Sequence, residues 1–334
     1  MKKPTLCVIF GGKSSEHEVS LASAYGIISH IDLKKYDLVC LGITKKGKWY
    51  IFEGEHKKIK DGTWEGDRVL PVTIDLSSGH LLVLGKEAYE IRVDLFFPVL
   101  HGEQGEDGRI QGLFDIAGVK YVGCGAFSSH ICMDKSLAKK IAEGVGISVA
   151  RGKTVSQVCE NTEFTYPVFV KPTMCGSSVG VSRVENEAEL GGAVREALKH
   201  CHQAIIEECI FGDEVEVGIL ENGKELIASS VGMVKHSGKF YDYEAKYKCE
   251  SNEYLIPAPF ENCVLERVRE YARTLFLCFG CQGLSRFDFF IKKDGGVVFN
   301  EVNTMPGFTE KSLFPRLFEP LGISYTSVID IVLA

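Results

Sequence analysis

Over the first third of the chain, apolar runs alternate with helically spaced apolar positions. Leu6–Phe10 is an unbroken apolar run that Gly11-Gly12 ends, which predicts a buried strand. Ser15-Glu-His-Glu18 then has the spacing of a capping box, and Val19, Ala22, Gly26 and Ile27 recur at helical intervals. Asp37–Ile43 and Leu95–Leu100 read as further strands. Strand, glycine turn and helix in this order predict a parallel sheet with ligands at the strand C-termini.

From about Val122 the texture changes. The pattern predicts a helix around Lys135–Gly144, a strand at Tyr166–Lys171, a loop from Pro172 to Gly180, a helix at Glu187–His200 and a strand at Ala204–Glu208. Glu214–Leu220 and Glu225–Val231 flank the turn Glu221-Asn-Gly223, an antiparallel signature. Lys235–Pro259 is polar, lacks clear periodicity and carries Tyr241, Tyr243, Tyr247 and Tyr254, as binding loops and lids often do.

Ser285–Asn303 carries the most chemistry. Asp294-Gly295 predicts a two-residue turn that pairs Lys293 with Gly296. In that register Asp288 faces Glu301 and Arg286 faces Asn303, all on one side, with Phe287, Phe289 and Val302 on the other. Two carboxylates about 5 Å apart at Cβ repel by on the order of 3 kcal/mol at an effective dielectric of about 20. A divalent cation removes that cost, and oxygen donors from Asp, Glu and Asn suit Mg²⁺ or Mn²⁺. A solvated polar face with Arg286 neutralising the acids is the alternative.

Other segments offer weaker signals. In Lys171-Pro-Thr-Met-Cys-Gly176-Ser-Ser-Val-Gly180, small residues let backbone N–H groups approach an anion, Ser177 and Ser178 add donors, and Lys171 is placed to hold a phosphate. A plain flexible hairpin fits the same residues. His101-Gly-Glu-Gln-Gly-Glu-Asp-Gly108-Arg-Ile-Gln-Gly112 follows a buried strand and is a functional loop or a surface turn. Glu16 lies at the same sheet edge, as a helix cap or as part of a site. Gly146 to Thr154 resembles a Walker loop but has one residue too many and precedes a strand.

Composition narrows the class. The 334 residues include 38 basic and 45 acidic side chains, a net charge of −7, with 45% hydrophobic and 25% charged residues. This is a globular chain of two or three domains, not a disordered one, and it lacks the basic footprint of a nucleic-acid partner. No apolar run approaches the roughly 18–20 residues of a membrane span; Val93 to Leu100 is broken by Asp94 and Pro98. The apolar stretch after Met1-Lys-Lys3 is too short for a secretory signal. Twelve scattered cysteines in mostly apolar settings predict reduced, buried thiols and a cytoplasmic location. Cys278-Phe-Gly-Cys281 reads as a helix end with two buried thiols.

Five runs, in order, resemble the D-alanine–D-alanine ligases of the ATP-grasp superfamily: Gly11 to Ser20, His101 to Gly112, Lys171 to Gly180, Lys246-Tyr247, and Ser285 through Asn303-Thr-Met-Pro-Gly307-Phe-Thr. The resemblance implies an α/β N-terminal parallel-sheet domain (1–122) and two α+β ATP-grasp lobes (123–212 and 213–334) that clamp ATP. It implies that Lys135 and Lys171 contact phosphates, that Glu207 and the backbone of Glu208 and Ile210 hold adenine, and that Glu214 holds the ribose. It implies two Mg²⁺ or Mn²⁺ ions on Asp288, Glu301 and Asn303. The implied reaction makes an acyl phosphate from one D-alanine and ATP, which the amine of a second D-alanine attacks. Arg286 and the Gly307 N–H would stabilise the oxyanion. Glu16 would bind the first ammonium within a Glu16–Ser177–Tyr247 network, with His101 in the substrate pocket, and Lys246 and Ser312 would bind the second carboxylate. The Lys246-Tyr247 pair resembles ligases that do not use D-lactate, and Leu313 resembles ordinary ligases. Parts such as Leu41 to Tyr50 resemble D-alanine–D-serine ligases, so a glycopeptide-resistance type using D-serine or D-lactate stays open. A homodimer is implied by resemblance alone.

Overall fold

The computed structural model describes residues 3–235 and 253–334. Three sheets organise it. The first has seven strands: β1 (Thr5–Gly11), β2 (Asp37–Ile43), β3 (Trp49–Phe52), β4 (Val69–Ile74), β5 (Leu81–Val83), β6 (Tyr89–Ile91) and β7 (Leu95–Pro98). Their order is β6-β5-β4-β3-β2-β1-β7. Only β2, β1 and β7 run parallel; the rest of the sheet is an antiparallel meander that the sequence pattern does not predict.

Every residue from Leu6 to Phe10 is fully buried, because both faces of β1 are covered. Helix α1 (His17–His30) packs on one face together with the C-terminal helices α8 (Leu313–Arg316) and α9 (Tyr325–Val332). Helix α3 (Arg109–Ala117) packs on the other; α2 is the single turn Lys57–Lys60. The predicted capping box at α1 does not form. Glu16 is the N-cap residue without a capping bond of its own, and Ser14 Oγ accepts the Glu16 N–H at 3.0 Å.

The second sheet is β8 (Gly152–Val155), β9 (Val168–Pro172), β10 (Ser182–Val184) and β11 (Ala204–Glu208), ordered β10-β9-β11-β8 and fully antiparallel. Helix α6 (Glu187–Ala197) covers it. Gly152–Thr154 lies on β8, which disposes of a Walker loop there.

The third sheet has order β14-β13-β12-β15-β16, from β12 (Gly212–Asn222), β13 (Glu225–Lys235), β14 (Glu253–Leu255), β15 (Leu284–Lys292) and β16 (Val297–Asn303). Its core holds α7 (Asn262–Cys278) and also α4 (Ala126–Met133) and α5 (Lys135–Gly144), so these two helices share a core with the third sheet. Helix α7 ends at Cys278 with Gly280 at φ +65°, but only Cys281 is buried; Cys278 is exposed, contrary to expectation, because it lies off the apolar stripe of Val268, Ala272 and Leu275.

The β15–β16 hairpin corrects the turn while keeping the pairing. Lys292 pairs with Gly296 around a three-residue loop ending in Gly295 at φ +78°. Ile291 to Phe289 then pair with Val297 to Phe299, one residue off the predicted register. A β-bulge at Asn300 restores it, so Asp288 faces Glu301 and Arg286 faces Asn303.

Candidate active site

A cavity of about 1140 Å³ opens where the C-terminal ends of β1 and β7 meet the loop after β9 and the end of β16. Glu16, His101, Lys135, Ser177, Arg286, Glu301, Asn303, Gly307 and Ser312 all line it. Six segments remote in sequence thus converge on one space. β1 and β7 lie side by side while the chain between them runs out the other way through β2, the switch point at which α/β sheets bind ligands.

Glu16 is buried, with its carboxylate between two small residues. A Cβ on Gly102, at φ +70°, would stand 2.6 Å from Glu16 Oε2, and one on Gly176 would stand 3.3 Å away. Glycine at 102 permits both the left-handed backbone and the close approach. Ser177 and Ser178 also adopt positive φ, 51° and 56°, a strained setting for serine of the kind found at ligand-binding loops. Ser177 Oγ is buried with no hydrogen-bond partner among the described residues. The expected Glu16–Ser177 hydrogen bond is therefore not formed here, and Lys246 and Tyr247 lie outside the described residues.

His101 is buried and braces the loop that carries Gly307. Its Nδ1 donates to Met305 O at 2.9 Å, and its Nε2 accepts from Ser23 Oγ at 3.0 Å. Ser23 Oγ in turn accepts the Phe308 N–H at 3.2 Å. This chain of roles requires neutral imidazole, and burial lowers the His101 pKa, opposed by the Glu16 charge. Glu106 completes the grip: its Oε1 accepts the Met305 N–H at 3.2 Å and its Oε2 accepts the Gly102 N–H at 2.7 Å. Both polar groups of the Met305 backbone are held from one loop. Burial, then repulsion from Glu16, pushes the Glu106 carboxyl up to about 8. The sequence pattern did not single out Glu106, although it lies inside the glycine-rich His101–Gly112 run. Ser312 Oγ accepts the Thr309 N–H at 3.0 Å and would lie 3.3 Å from a Cβ on Gly307.

An alternating row of charges links the second and third sheets. Glu207 is buried between Lys139 at 2.5 Å and Lys171 at 2.9 Å. Burial opposes its ionisation, but the two ammonium groups outweigh burial and hold it at about 2. Glu207 therefore binds lysines with its carboxylate in this structure. Burial pulls the Lys139 pKa down, whereas Glu207, with Glu301 and Glu214 beyond, overcomes the same penalty at Lys171 and raises it. Glu214 accepts from Asn300 Nδ2 at 3.3 Å, so the bulged residue bridges to it. Arg151 Nε and Nη2 both donate to Glu208 Oε2, at 2.9 and 2.8 Å, and Ile210 lies in the short link from β11 to β12. Lys139 was missed by sequence reasoning. It lies four residues beyond Lys135 on the buried side of α5, beside Ala138 and Ala142.

Lys135 opens α5, where Asp134 caps the helix through Ser136 N and Leu137 N. Its Nζ donates to Cys175 O at 2.6 Å and pairs with Glu301 at 3.6 Å. Arg286 makes a fork to Asp288, 2.8 Å on each oxygen, and reaches Glu216 at 3.0 Å. Asn303 Nδ2 donates to Asp288 Oδ2 at 3.2 Å. Asp288 is buried behind this layer, whereas Glu301 and Asn303 reach the cavity. Arg286 thus neutralises Asp288 here, as the alternative reading of the hairpin anticipates. Asp288, Glu301 and Asn303 carry oxygen donors on facing strand positions, the donor chemistry that a hard divalent cation takes.

Fold and cleft place the chain in the ATP-grasp class of α/β enzymes. Residues 5–124 match the D-ala D-ala ligase N-terminus family and residues 146–334 the D-ala D-ala ligase C-terminus family. A D-alanine–D-alanine ligase of Ruminiclostridium cellulolyticum is 41% identical over 99% of this chain and 94% of its own length; one of Acetivibrio thermocellus is 42% identical over 98% and 94%. The VanG D-Ala:D-Ser ligase of Enterococcus faecalis superposes with a TM-score of 0.91 at 38% identity over 99% of both chains. The chain belongs to the D-alanine–D-alanine ligase family.

Proposed function

We propose that this protein joins two D-alanine molecules to D-alanyl-D-alanine in an ATP-dependent reaction that supplies peptidoglycan precursors. The observation that carries the reading is the convergence of Glu16, Ser177, Arg286, Glu301 and Gly307 on one cavity in a chain with full-length ligase relatives. The carboxylate of the first D-alanine attacks the γ-phosphate of ATP, giving an acyl phosphate and ADP. The amine of the second then attacks the acyl carbon, phosphate leaves, and the amine proton is lost.

The roles follow from charge and placement. Glu16 pairs with the first ammonium. Lys135 and Lys171 face phosphates at the junction of the two lobes, with Glu207, Glu208, Ile210 and Glu214 beside them toward the nucleoside. Arg286 and the Gly307 N–H meet the oxyanion. Lys246 and Ser312 take the second carboxylate, and Tyr247 joins Glu16 and Ser177. Asp288, Glu301 and Asn303 would hold Mg²⁺ or Mn²⁺, whose bound charge would offset that of the phosphates. The lobe boundaries near 122 and 212, a homodimer and a cytoplasmic location belong to the same reading. No helix among the described residues is long and apolar enough to cross a membrane.

D-alanine-dependent ADP release with Mg²⁺, and dipeptide identified by mass, is the expected result. The absence of D-alanine-stimulated ADP release overturns the reading. The likeness to the D-Ala:D-Ser ligase supports a second reading, with D-serine as acceptor. Competition among D-alanine, D-serine and D-lactate, read by product mass, separates the two.

A further inference from the structure

Two cysteines outside the proposed chemistry lie against the loop that carries Ser177. β9 and β11 pair antiparallel from Glu208↔Val168 to Ala204↔Pro172. The ladder continues one step, since Thr173 N donates to Gln203 O at 3.1 Å. Beyond that step the chain turns away at Thr173 and Met174, and Cys175 and Cys201 follow on the two sides of the strand ends, near enough for the Cys201 charge to act on Cys175. Both are partly exposed. Thr173 Oγ1 lies 3.3 Å from Cys201 Sγ, and His202 Nδ1 lies 3.8 Å from it. Cys175 Sγ reaches His200 O, next to Cys201, at 3.9 Å.

We infer that Cys175 and Cys201 form a modification site at which a peroxide installs a disulfide across the base of the glycine-rich loop. Donors surround the Cys201 sulfur. Burial works against its thiolate, but Thr173 and the backbone N–H groups of Gln203, Met174 and His202 outweigh burial and lower its pKa. Burial, by contrast, raises the pKa of Cys175, which suits a resolving thiol. The Cys201 thiolate attacks the peroxide: an S–O bond forms, the O–O bond breaks, and the departing hydroxide takes a proton to become water. Cys175 then attacks the sulfenic sulfur: the S–S bond forms, the S–O bond breaks, and a second water leaves with the Cys175 proton. Two thiols lose two electrons in total and one peroxide becomes two waters.

The consequence follows from what Cys175 adjoins. Its carbonyl holds Lys135, and the next residue, Gly176, packs against Glu16. A cross-link there ties the base of this loop to the end of β11 and restricts any adjustment of the Lys135 and Glu16 contacts when a nucleotide enters. Other cysteines also lie near one another, Cys132 and Cys281 at 3.8 Å with Cys124 beside Cys281, but these are buried and poorly reached by peroxide.

The test exposes the full chain to hydrogen peroxide, quenches with catalase and maps disulfides by peptide mass. The expected result is loss of two hydrogens in a peptide pair joining Cys175 to Cys201, absent in Cys201→Ser and in Cys175→Ser. D-alanine-dependent ADP release falls by about 100-fold on oxidation and returns with dithiothreitol. Cys201→Ser keeps its activity through peroxide. No cross-link, a cross-link elsewhere, or full activity with the 175–201 bond formed overturns the inference. Mapping reads the bond without any ligase activity, so failure of the functional reading remains separate.

Discussion

Replacing Glu207 with glutamine leaves the shape of the buried carboxyl but removes its charge from between Lys139 and Lys171. Both ammonium groups lie within 3 Å of it, at 2.5 and 2.9 Å, and Lys139 is itself buried. The displacement of the Glu207 pKa from 4.5 to about 2 corresponds to about 3 kcal/mol of stability. Breaking a buried pair from one side costs about 3–5 kcal/mol, because the remaining charge has no counter-ion. The two routes agree, so Glu207→Gln should lower stability by about 3–5 kcal/mol. The sign with pH follows from the depressed pKa. The wild-type contribution is fully present above 4.5 and is lost as pH falls through about 2. Urea midpoints at neutral pH, with amide exchange of β9 and β11 to localise the loss, measure the first effect. The same titration at falling pH should show a shallower loss in the variant. An unchanged midpoint at neutral pH refutes the charge-pair account. A double variant with Lys139→Met should recover part of the loss, because the buried ammonium is then gone as well.

Further substitutions test the cavity. Glu106→Gln should flatten a loss of stability that the wild type shows as pH rises from 4.5 through about 8, because a raised carboxyl pKa favours the fold only while protonated; thermal midpoints across that range measure it, and parallel curves refute it. Arg286→Lys keeps the charge but loses the fork to Asp288, and kcat should fall about 100-fold; a change confined to KM counts against an oxyanion role. Glu301→Ala should cost about 1000-fold in turnover through lost metal binding, and steady-state rates across a Mg²⁺ titration check it; near-normal turnover removes Glu301 from the metal site.

Long buried or strictly periodic segments were legible. β1, β2, β11 and α5 lie where hydrophobic pattern and caps put them, since burial on both faces or a full helical stripe leaves little choice. β3 to β6 were not legible. They are only three to six residues long, too short to show a period, with Pro71 inside β4 and Glu90 inside β6, and they form because a neighbouring strand presents an edge. The site shows the same division. Arg286 and Glu301 were marked out by a hairpin register that puts acids face to face, and Glu16 and His101 by glycine-rich runs that fit a plain cap or surface turn as well. Lys139 lay in no such run, and Glu106, though inside the His101–Gly112 run, was not singled out, because their roles depend on partners from distant segments: Glu207 for one, the Met305 backbone for the other.

The hairpin shows how a correct pairing can follow from an incomplete rule. Asp294-Gly295 fits a two-residue turn, yet the same residues end a three-residue loop whose last position needs a left-handed glycine. That loop alone would set Asp288 against Asn300 and turn Glu301 to the opposite face. The bulge at Asn300 cancels the slip. It also directs Asn300 to Glu214, while Phe289 and Phe299 remain packed in the core at 5.7 Å. The aromatic pair and the facing acids each require their own register, and one extra residue reconciles them. Deleting Asn300 should therefore force a choice between core and site: either the Phe289–Phe299 packing or the Asp288–Glu301 pairing is lost. A variant that keeps both stability and turnover would show that the bulge is dispensable.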